Sequence, residues 1–434
     1  MDSFDNTHIT ALTELINHAV QEVIAEYAAV GQAVPTLHSL EPGPFQLPAE
    51  TPARLTKAIK IIEAACAQLT YTVSPPGSVM LNHGEAACLS VVTEARIADL
   101  LLNQPEGLPA TKLASLTGLH AGRLTRILRL LATKHCFKEV KPGVFANNRL
   151  SVKLVSSDPT SALVLQRTDD GLLASAYLNK TMAKDDNGIP YQRATGFPYF
   201  DFDRQRFART MVGWGQIFGK EHFLPQSYPW CDQPPNTTIC DVAGGNGFAT
   251  MALLKAQPHL KVILQDQQPI IDRAQELWRE KHPSAVQKKH VQFVPFDFFK
   301  TPPAGDCDIY YYYRHDWQDH ECKIILNNIR KAMKPNSRLI IHEIVLRNAL
   351  VDMNMNGHTS DSCFDIAPRP LLPNYGVARA RTYELDIAMM TLLGSQERTL
   401  SEYIDLCSQC GLKFIKIYEA GEMDLLEFIP VCQA

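Results

Sequence analysis

The stretch Ile239-Cys-Asp-Val-Ala-Gly-Gly-Asn-Gly-Phe-Ala-Thr-Met-Ala-Leu-Leu253 admits few folds. A short apolar run enters a turn holding three glycines and leaves as apolar positions at helical spacing, which is the order strand, tight loop, helix. Gly244, Gly245 and Gly247 have no Cβ, so the backbone can turn sharply there and a ligand can lie close against it. The free N–H groups of the following helix then face that ligand. A nucleoside-binding unit of this kind needs an acidic residue at the end of the next strand, about 20 residues on, to hold ribose hydroxyls. Leu260–Gln265 reads as that strand, with Asp266 at its end. A third run, Val291–Pro295, leads to a second acid, Asp297. Thr250 stands where a dinucleotide fingerprint would carry its third glycine, so a nucleoside cofactor is expected on a loop that departs from that fingerprint.

From Thr237 onward strands and helices alternate: strands at 238–242, 260–265, 291–295, 307–313 and 338–344, helices at 248–256, 268–281 and 319–333. That order predicts a mostly parallel sheet with helices on both faces. Leu412–Tyr418 and Leu425–Ile429 are expected to add an antiparallel pair at its edge. The first half reads differently. Helices are expected over residues 9–30 and 54–69, separated by a proline-rich connector. Further helices are expected over 89–102, 108–118 and 121–132, then a hairpin around Pro142-Gly143. Three helices and a β wing are the pattern of a winged helix. Arg123, Arg126 and Arg129 on its third helix suit either DNA or a solvated face, but 42 basic against 46 acidic residues leave no overall basic footprint. A dimer or substrate-lid element is the favoured role, with no nucleic acid as partner.

No run of 18 apolar residues suggests a membrane span, and the acidic start Met1-Asp-Ser-Phe-Asp-Asn lacks the build of a signal peptide. The eleven cysteines form no disulfide framework. Cys66, Cys88 and Cys136 are expected to behave as small core groups, and Cys407 and Cys410 as buried thiols on one helix rather than half of a zinc site. A reduced, cytoplasmic enzyme without a metal is the expectation.

The chemistry-bearing residues gather at predicted strand ends. His315 follows the strand Asp308–Tyr313, on the rim that also carries the glycine turn. An imidazole titrating near neutrality can take a proton from a phenol or an acidic hydroxyl. Glu343 ends the following strand and Glu397 opens a later helix; either can orient that imidazole and stabilise its protonated form.

As a set, Asp241–Gly247, Gln265-Asp266, Phe296-Asp297-Phe298, His315-Asp316-Trp317, Ile341-His-Glu343 and Gln396–Thr399 make the chain resemble fungal S-adenosylmethionine-dependent O-methyltransferases, similar to the plant caffeate-type enzymes. The likeness covers roughly residues 50 to 430. It implies an N-terminal helical extension and linker (1–50), a winged-helix-like dimerisation domain (51–165), a helical connector lining the pocket (166–235) and a Rossmann-like catalytic domain (236–434). By that resemblance Asp241, Gly244, Gly245, Gly247, Asp266, Gln267, Asp297 and Phe298 hold S-adenosylmethionine, His315 is the general base, and Glu343 and Glu397 flank it. Met211, Trp214, Met389 and Met390 match positions that line the acceptor pocket, with Tyr311 and Asp316 beside them. The protein would act as a homodimer on a small aromatic hydroxyl compound. Two departures stand out. Arg314 precedes His315 where the family usually has an apolar residue, and could serve the cofactor or point into the acceptor pocket. Tyr311 occupies the place of a basic residue. Some relatives keep the bound sulfonium but catalyse dehydration or pericyclic closure, and a catalytically silent binding protein is a further alternative.

Overall fold

The computed structural model describes residues 6–41, 43–45, 50–74, 85–183, 188–199, 210–215, 218–313, 316–349 and 364–431. It divides into two units. The first comprises Met1–Ile217, Arg369–Leu371 and Tyr375–Ala378, and the second Phe218–Pro368, Leu372–Asn374 and Arg379–Ala434.

The first unit opens with two long helices, α1 (Thr7–Ala29) and α2 (Ala53–Val73). The winged-helix pattern follows: α3 (Glu85–Glu94), β1 (Leu108–Pro109), α4 (Ala110–Thr117), α5 (Ala121–Thr133), β2 (Lys138–Lys141) and β3 (Val144–Ala146). Leu124, Leu128 and Leu131 recur along one stripe of α5 and are buried, while Arg123, Arg126 and Arg129 are exposed. Burial of each such leucine contributes about 1.5–3 kcal/mol.

Two expectations change here. The helix expected over 89–102 breaks at Arg96, whose φ is 53°. Val92 and Ile97 would stand about 140° apart on an unbroken helix; the break lets both bury fully in one core. Leu108–Pro109, expected in a helix, instead pairs with Phe145 and Val144 as the third strand of the wing. Cys66, expected in the core, is exposed, and Cys88 and Cys136 are only partly covered.

In the second unit the alternating runs form a seven-stranded sheet in the order β11-β12-β8-β7-β4-β5-β6. The strands are β4 (Thr238–Val242), β5 (Lys261–Asp266), β6 (Val291–Pro295), β7 (Ile309–Tyr312), β8 (Arg338–Glu343), β11 (Leu412–Ala420) and β12 (Met423–Pro430). The five from β4 to β8 are parallel; β12 and β11 add the antiparallel edge. Between them a short parallel pair, β9 (Val345–Leu346) and β10 (Arg398–Thr399), was not legible in the sequence.

Both faces of the sheet are covered. One carries α6 (Lys220–Ser227), α7 (Phe248–Ala256) and α8 (Gln268–Lys281), burying Leu253, Ile271 and Trp278 over Ile239, Leu264 and Ile340. The other carries α9 (Asp319–Ala332) and α11 (Leu400–Ser408), burying Ile325, Ile329, Tyr403 and Cys407 over Tyr312, Ile341 and Phe428. Between these two helices in sequence lies α10 (Ala380–Leu393). The tyrosine run of β7 feeds both layers, because successive side chains leave a strand on opposite faces. Tyr310 donates its hydroxyl hydrogen bond to the carbonyls of Ala304 (2.8 Å) and Ala332 (2.7 Å), which satisfies a buried polar group. Cys407 and Cys410 are buried free thiols. Among the described residues no helix is long and apolar enough to cross a membrane.

Candidate active site

The glycine turn leaves β4 where the sheet changes direction: β5 and β6 extend to one side, β7 and β8 to the other. In parallel sheets ligands settle in that crevice, outside the carboxyl ends of the strands. Gly245 and Gly247 take φ of 62° and 71°, a left-handed backbone that side chains disfavour. The three glycines answer different needs. A Cβ on Gly244 would lie 2.3 Å from the Asp241 carboxyl carbon, and one on Gly247 would lie 2.8 Å from Leu264 Cδ2 and 3.0 Å from Trp278 Nε1. On Gly245 a Cβ would meet nothing within 4 Å. Gly244 and Gly247 therefore let the loop close onto its own sheet, and Gly245 is the position open to a ligand.

Asp266 is the last residue of β5, as its expected role requires. Its Oδ2 accepts the Gly245 N–H (2.9 Å) and its Oδ1 the N–H of Gln267 (2.7 Å), an exposed residue that caps α8. The acid that would take the ribose is thus tied to the outward-facing glycine. Asp241 is buried beneath the turn and accepts a 2.6 Å hydrogen bond from Thr250 Oγ1. Thr250, legible in the sequence only as a missing glycine, is a buried strut between helix and strand. Thr250→Val is expected to lower unfolding free energy by about 1.5–3 kcal/mol, because it removes a donor from a buried carboxylate. Urea denaturation checks this, and no measurable loss would show the hydroxyl to be idle.

Asp297 lies two residues beyond β6. Its Oδ1 accepts the Phe299 N–H (3.1 Å), and Lys300, 2.8 Å from Oδ2, holds its carboxyl below the usual carboxylate range. The Phe298 ring packs on Phe299 and Trp317, with centroids 4.7 and 5.8 Å away. Flat aromatic faces beside a carboxylate suit a purine.

Arg314 and His315 lie outside the described residues. The chain on either side is held from two directions. Upstream, Tyr311 is buried and its hydroxyl is hydrogen-bonded with His342 Nδ1 at 2.8 Å; burial pushes its pKa well above the ordinary tyrosine value. Downstream, the half-buried Asp316 leads into Trp317 and Asp319, which Arg398 clamps. Its guanidinium, 2% exposed, donates to the Trp317 carbonyl (3.2 Å) and to Asp319 Oδ1 (2.7 and 3.1 Å). Sequence reasoning quoted Arg398 only as part of a motif; the signal that could have found it is an arginine beside a candidate catalytic acid.

Glu343 ends β8 and Glu397 immediately precedes β10; they are 1% and 3% exposed. The pairing of Arg398 with Val345 draws the Glu397 segment to the end of β8. Both carboxylates bear on the Tyr403 hydroxyl, whose pKa rises well above the ordinary value through burial first and their negative charge second. The structure thus brings the two glutamates together. Asp386 on α10, whose Oδ1 accepts the Glu397 N–H (2.8 Å), has its carboxyl pushed up by burial and by Glu397. Met389 is buried and Met390 half-buried on the same helix. Met211 and Trp214 belong to the first unit, where Met211 is exposed and Trp214 Nε1 donates to Gln166 Oε1 (3.4 Å).

A parallel sheet with a glycine turn at its switch point, an acid ending the second strand and two buried glutamates on the same rim places the second unit in the Rossmann-like class. Residues 176–362 match the O-methyltransferase domain, and residues 79–157 the O-methyltransferase dimerisation domain. The chain is 44% identical to 3-O-methyltransferase 2 of Phanerochaete chrysosporium, over 97% of each chain. It is 30% identical to O-methyltransferase gedA of Aspergillus terreus, over 98% of this chain and 97% of that one. Among solved structures, the mitomycin 7-O-methyltransferase MmcR superposes with a TM-score of 0.65 at 25% identity, covering 85% of this chain and 99% of that one. The chain belongs to the O-methyltransferase family, with a helical dimerisation domain ahead of its Rossmann-like domain.

Proposed function

We propose that the protein transfers a methyl group from S-adenosylmethionine to a hydroxyl of a small phenolic compound, working as a homodimer. The observation that carries this reading is the conjunction at one rim of an outward-open Gly245 bonded to Asp266 with the buried pair Glu343 and Glu397. The residues present fit the cofactor: backbone with open space at Gly245, a ribose-type acid in Asp266 and Gln267, and Asp297 with Phe298 for a purine. Bound there, S-adenosylmethionine supplies an electrophilic methyl group on a sulfonium.

This chain's own residues do the rest. The glycine turn and Asp266 fix one end of the reacting line. His315, which follows the β7 residues in the sequence, removes the acceptor hydroxyl proton as the oxygen attacks. Glu343 and Glu397 hold that imidazole in orientation and stabilise its protonated form, the role of the third member of a triad. Met389 and Met390 on α10 supply an apolar wall that excludes water. Holding the reactants in line is worth more than the base itself, up to about 7–11 kcal/mol against about 3–5 for proton transfer.

The test is stoichiometric. Purified enzyme given S-adenosylmethionine and a panel of hydroxylated aromatics should release S-adenosylhomocysteine and O-methylated product in equal amounts. Acceptor turnover with no S-adenosylhomocysteine formed would favour the dehydratase or pericyclase reading instead, and cofactor binding without turnover of any acceptor a binding protein.

A further inference from the structure

Within the second unit, at the end of the sheet away from the glycine turn, the chain gathers positive charge without supplying acids to match it. Residues 254–265 and 281–296 hold five lysines and three histidines and no aspartate or glutamate, so neither stretch carries its own counter-ion. Both run into neighbouring strands, β5 and β6, and the His290 carbonyl accepts the Val262 N–H at 2.8 Å where those strands begin. There the two stretches line one hollow of about 290 Å³. Leu254 and Ala285, both buried, give it an apolar lining. The rest is basic or polar: the exposed side chains of Lys255 and Lys288, the half-buried imidazoles of His282 and His290, and Ser284, whose Oγ lies 3.3 Å from His282 Nδ1.

Among the described residues neither Lys255 nor Lys288 has a carboxylate within ion-pair reach. Glu280, the acid that precedes the second stretch, is taken by Lys281 at 2.7 Å. Lys255 lies in the last turn of α7 and His282 caps the end of α8, where the helix dipole favours a cation. That accounts for each base singly but does not balance the group. Burial first, then Lys255 and His290, hold the His282 imidazole below its ordinary pKa, so these bases act on one another. A concave site with one sign of charge and apolar walls focuses its field on a counter-ion.

The hollow is separate from the cofactor turn. It lies at the start of β5, and the strand Lys261–Asp266 runs about 16 Å from there to the acid assigned to the ribose. Its volume is close to that of the smallest sites that hold organic ligands, about 300 Å³. We propose that it binds the phosphate dianion of a small phosphorylated metabolite, as a second ligand site at the opposite end of the sheet from the glycine turn. Phosphate suits this lining better than a carboxylate does. Two separate ammonium groups and a hydroxyl can each take a different oxygen of a tetrahedral group carrying two charges, whereas a carboxylate offers one charge and two oxygens in a plane. Leu254 and Ala285 then meet the organic body that carries the phosphate.

The experiment is a calorimetric titration of the full chain at constant ionic strength, with S-adenosylhomocysteine saturating so that the cofactor site is filled. The probes are butyl phosphate, inorganic phosphate, pentanoate and butanol. Wild type should bind butyl phosphate one to one with a Kd below about 1 mM, inorganic phosphate and pentanoate at least about tenfold more weakly, and butanol not at all. Replacing both lysines, Lys255→Met with Lys288→Met, should weaken butyl phosphate at least about tenfold, while Lys255→Arg with Lys288→Arg should keep most of the affinity. Methyl transfer without added phosphate should be unchanged in both variants, since neither lysine belongs to the site of that reaction. No saturable binding of butyl phosphate by wild type overturns the proposal whatever the variants do. Equal affinity for inorganic phosphate makes free phosphate the ligand, and equal affinity for pentanoate makes it any anion. Unchanged affinity in the methionine variant places the ligand elsewhere; each of these results also overturns it.

Discussion

His315→Ala is expected to lower kcat by about 10²–10⁴ while leaving S-adenosylhomocysteine affinity within about twofold of wild type. The cofactor is assigned to the turn after β4 and to the ends of β5 and β6. Proton removal is assigned to the His315 side chain alone. The variant should therefore separate binding from chemistry. Its residual rate should also climb about tenfold per pH unit below the acceptor's own phenol pKa of about 10, because the substrate must now arrive as phenolate. Wild type, which carries its own proton acceptor, should depend less steeply on pH. Full activity in the variant, or an unchanged pH profile, would remove His315 from the mechanism. Calorimetry for the cofactor product and initial rates between pH 6 and 10 provide both readouts.

Gly247→Ala and Gly245→Ala, two residues apart in the same turn, should fail for different reasons. Both residues have left-handed backbone, which alone costs an alanine about 1–2 kcal/mol. At Gly247 the new Cβ also lands on Leu264 and on Trp278. Trp278 has no exposed surface, and its indole N–H is fixed to the Asn246 carbonyl at 2.9 Å, so it cannot move aside. Overpacking there should add about 1–3 kcal/mol, for a total loss of about 2–5 kcal/mol and a visibly lower melting temperature. At Gly245 nothing lies in the way, so the protein should lose only the backbone term. Its methyl group would instead occupy the space assigned to the cofactor, and S-adenosylhomocysteine affinity should fall at least about tenfold. If Gly245→Ala binds the cofactor product as wild type does, the outward face of the turn is not where the ligand lies.

The glycine turn and the sheet were legible in the sequence for a physical reason: both are written in local patterns. Gly245 and Gly247 take the left-handed backbone that the turn needs, and Gly244 leaves room for the Asp241 carboxyl. The buried runs of β4, β5 and β7 read as parallel strands because both faces are covered, and Leu412–Tyr418 with Leu425–Ile429 read as a hairpin because a short turn separates them. The acids at strand ends, Asp266 and Glu343, could be named because the end of a parallel strand is itself a locally visible place. Where local pattern misled, tertiary burial decided. The helix over 89–102 broke so that Val92 and Ile97 could share one core, and Leu108–Pro109 left its helix to complete a three-stranded wing.

What no local pattern could announce is which distant side chains complete one another. Thr250 under Asp241, Arg398 holding Asp319 across 79 residues and His342 against Tyr311 are each unremarkable letters in the chain. Their partners are brought to them by strand register and helix packing, and only burial turns those encounters into strong constraints, since a hidden charge or hydroxyl must be matched. The sequence by itself determined the class of fold, the glycine turn and the family. The tertiary structure decided which polar groups satisfy one another within the protein, because register and packing bring distant partners together.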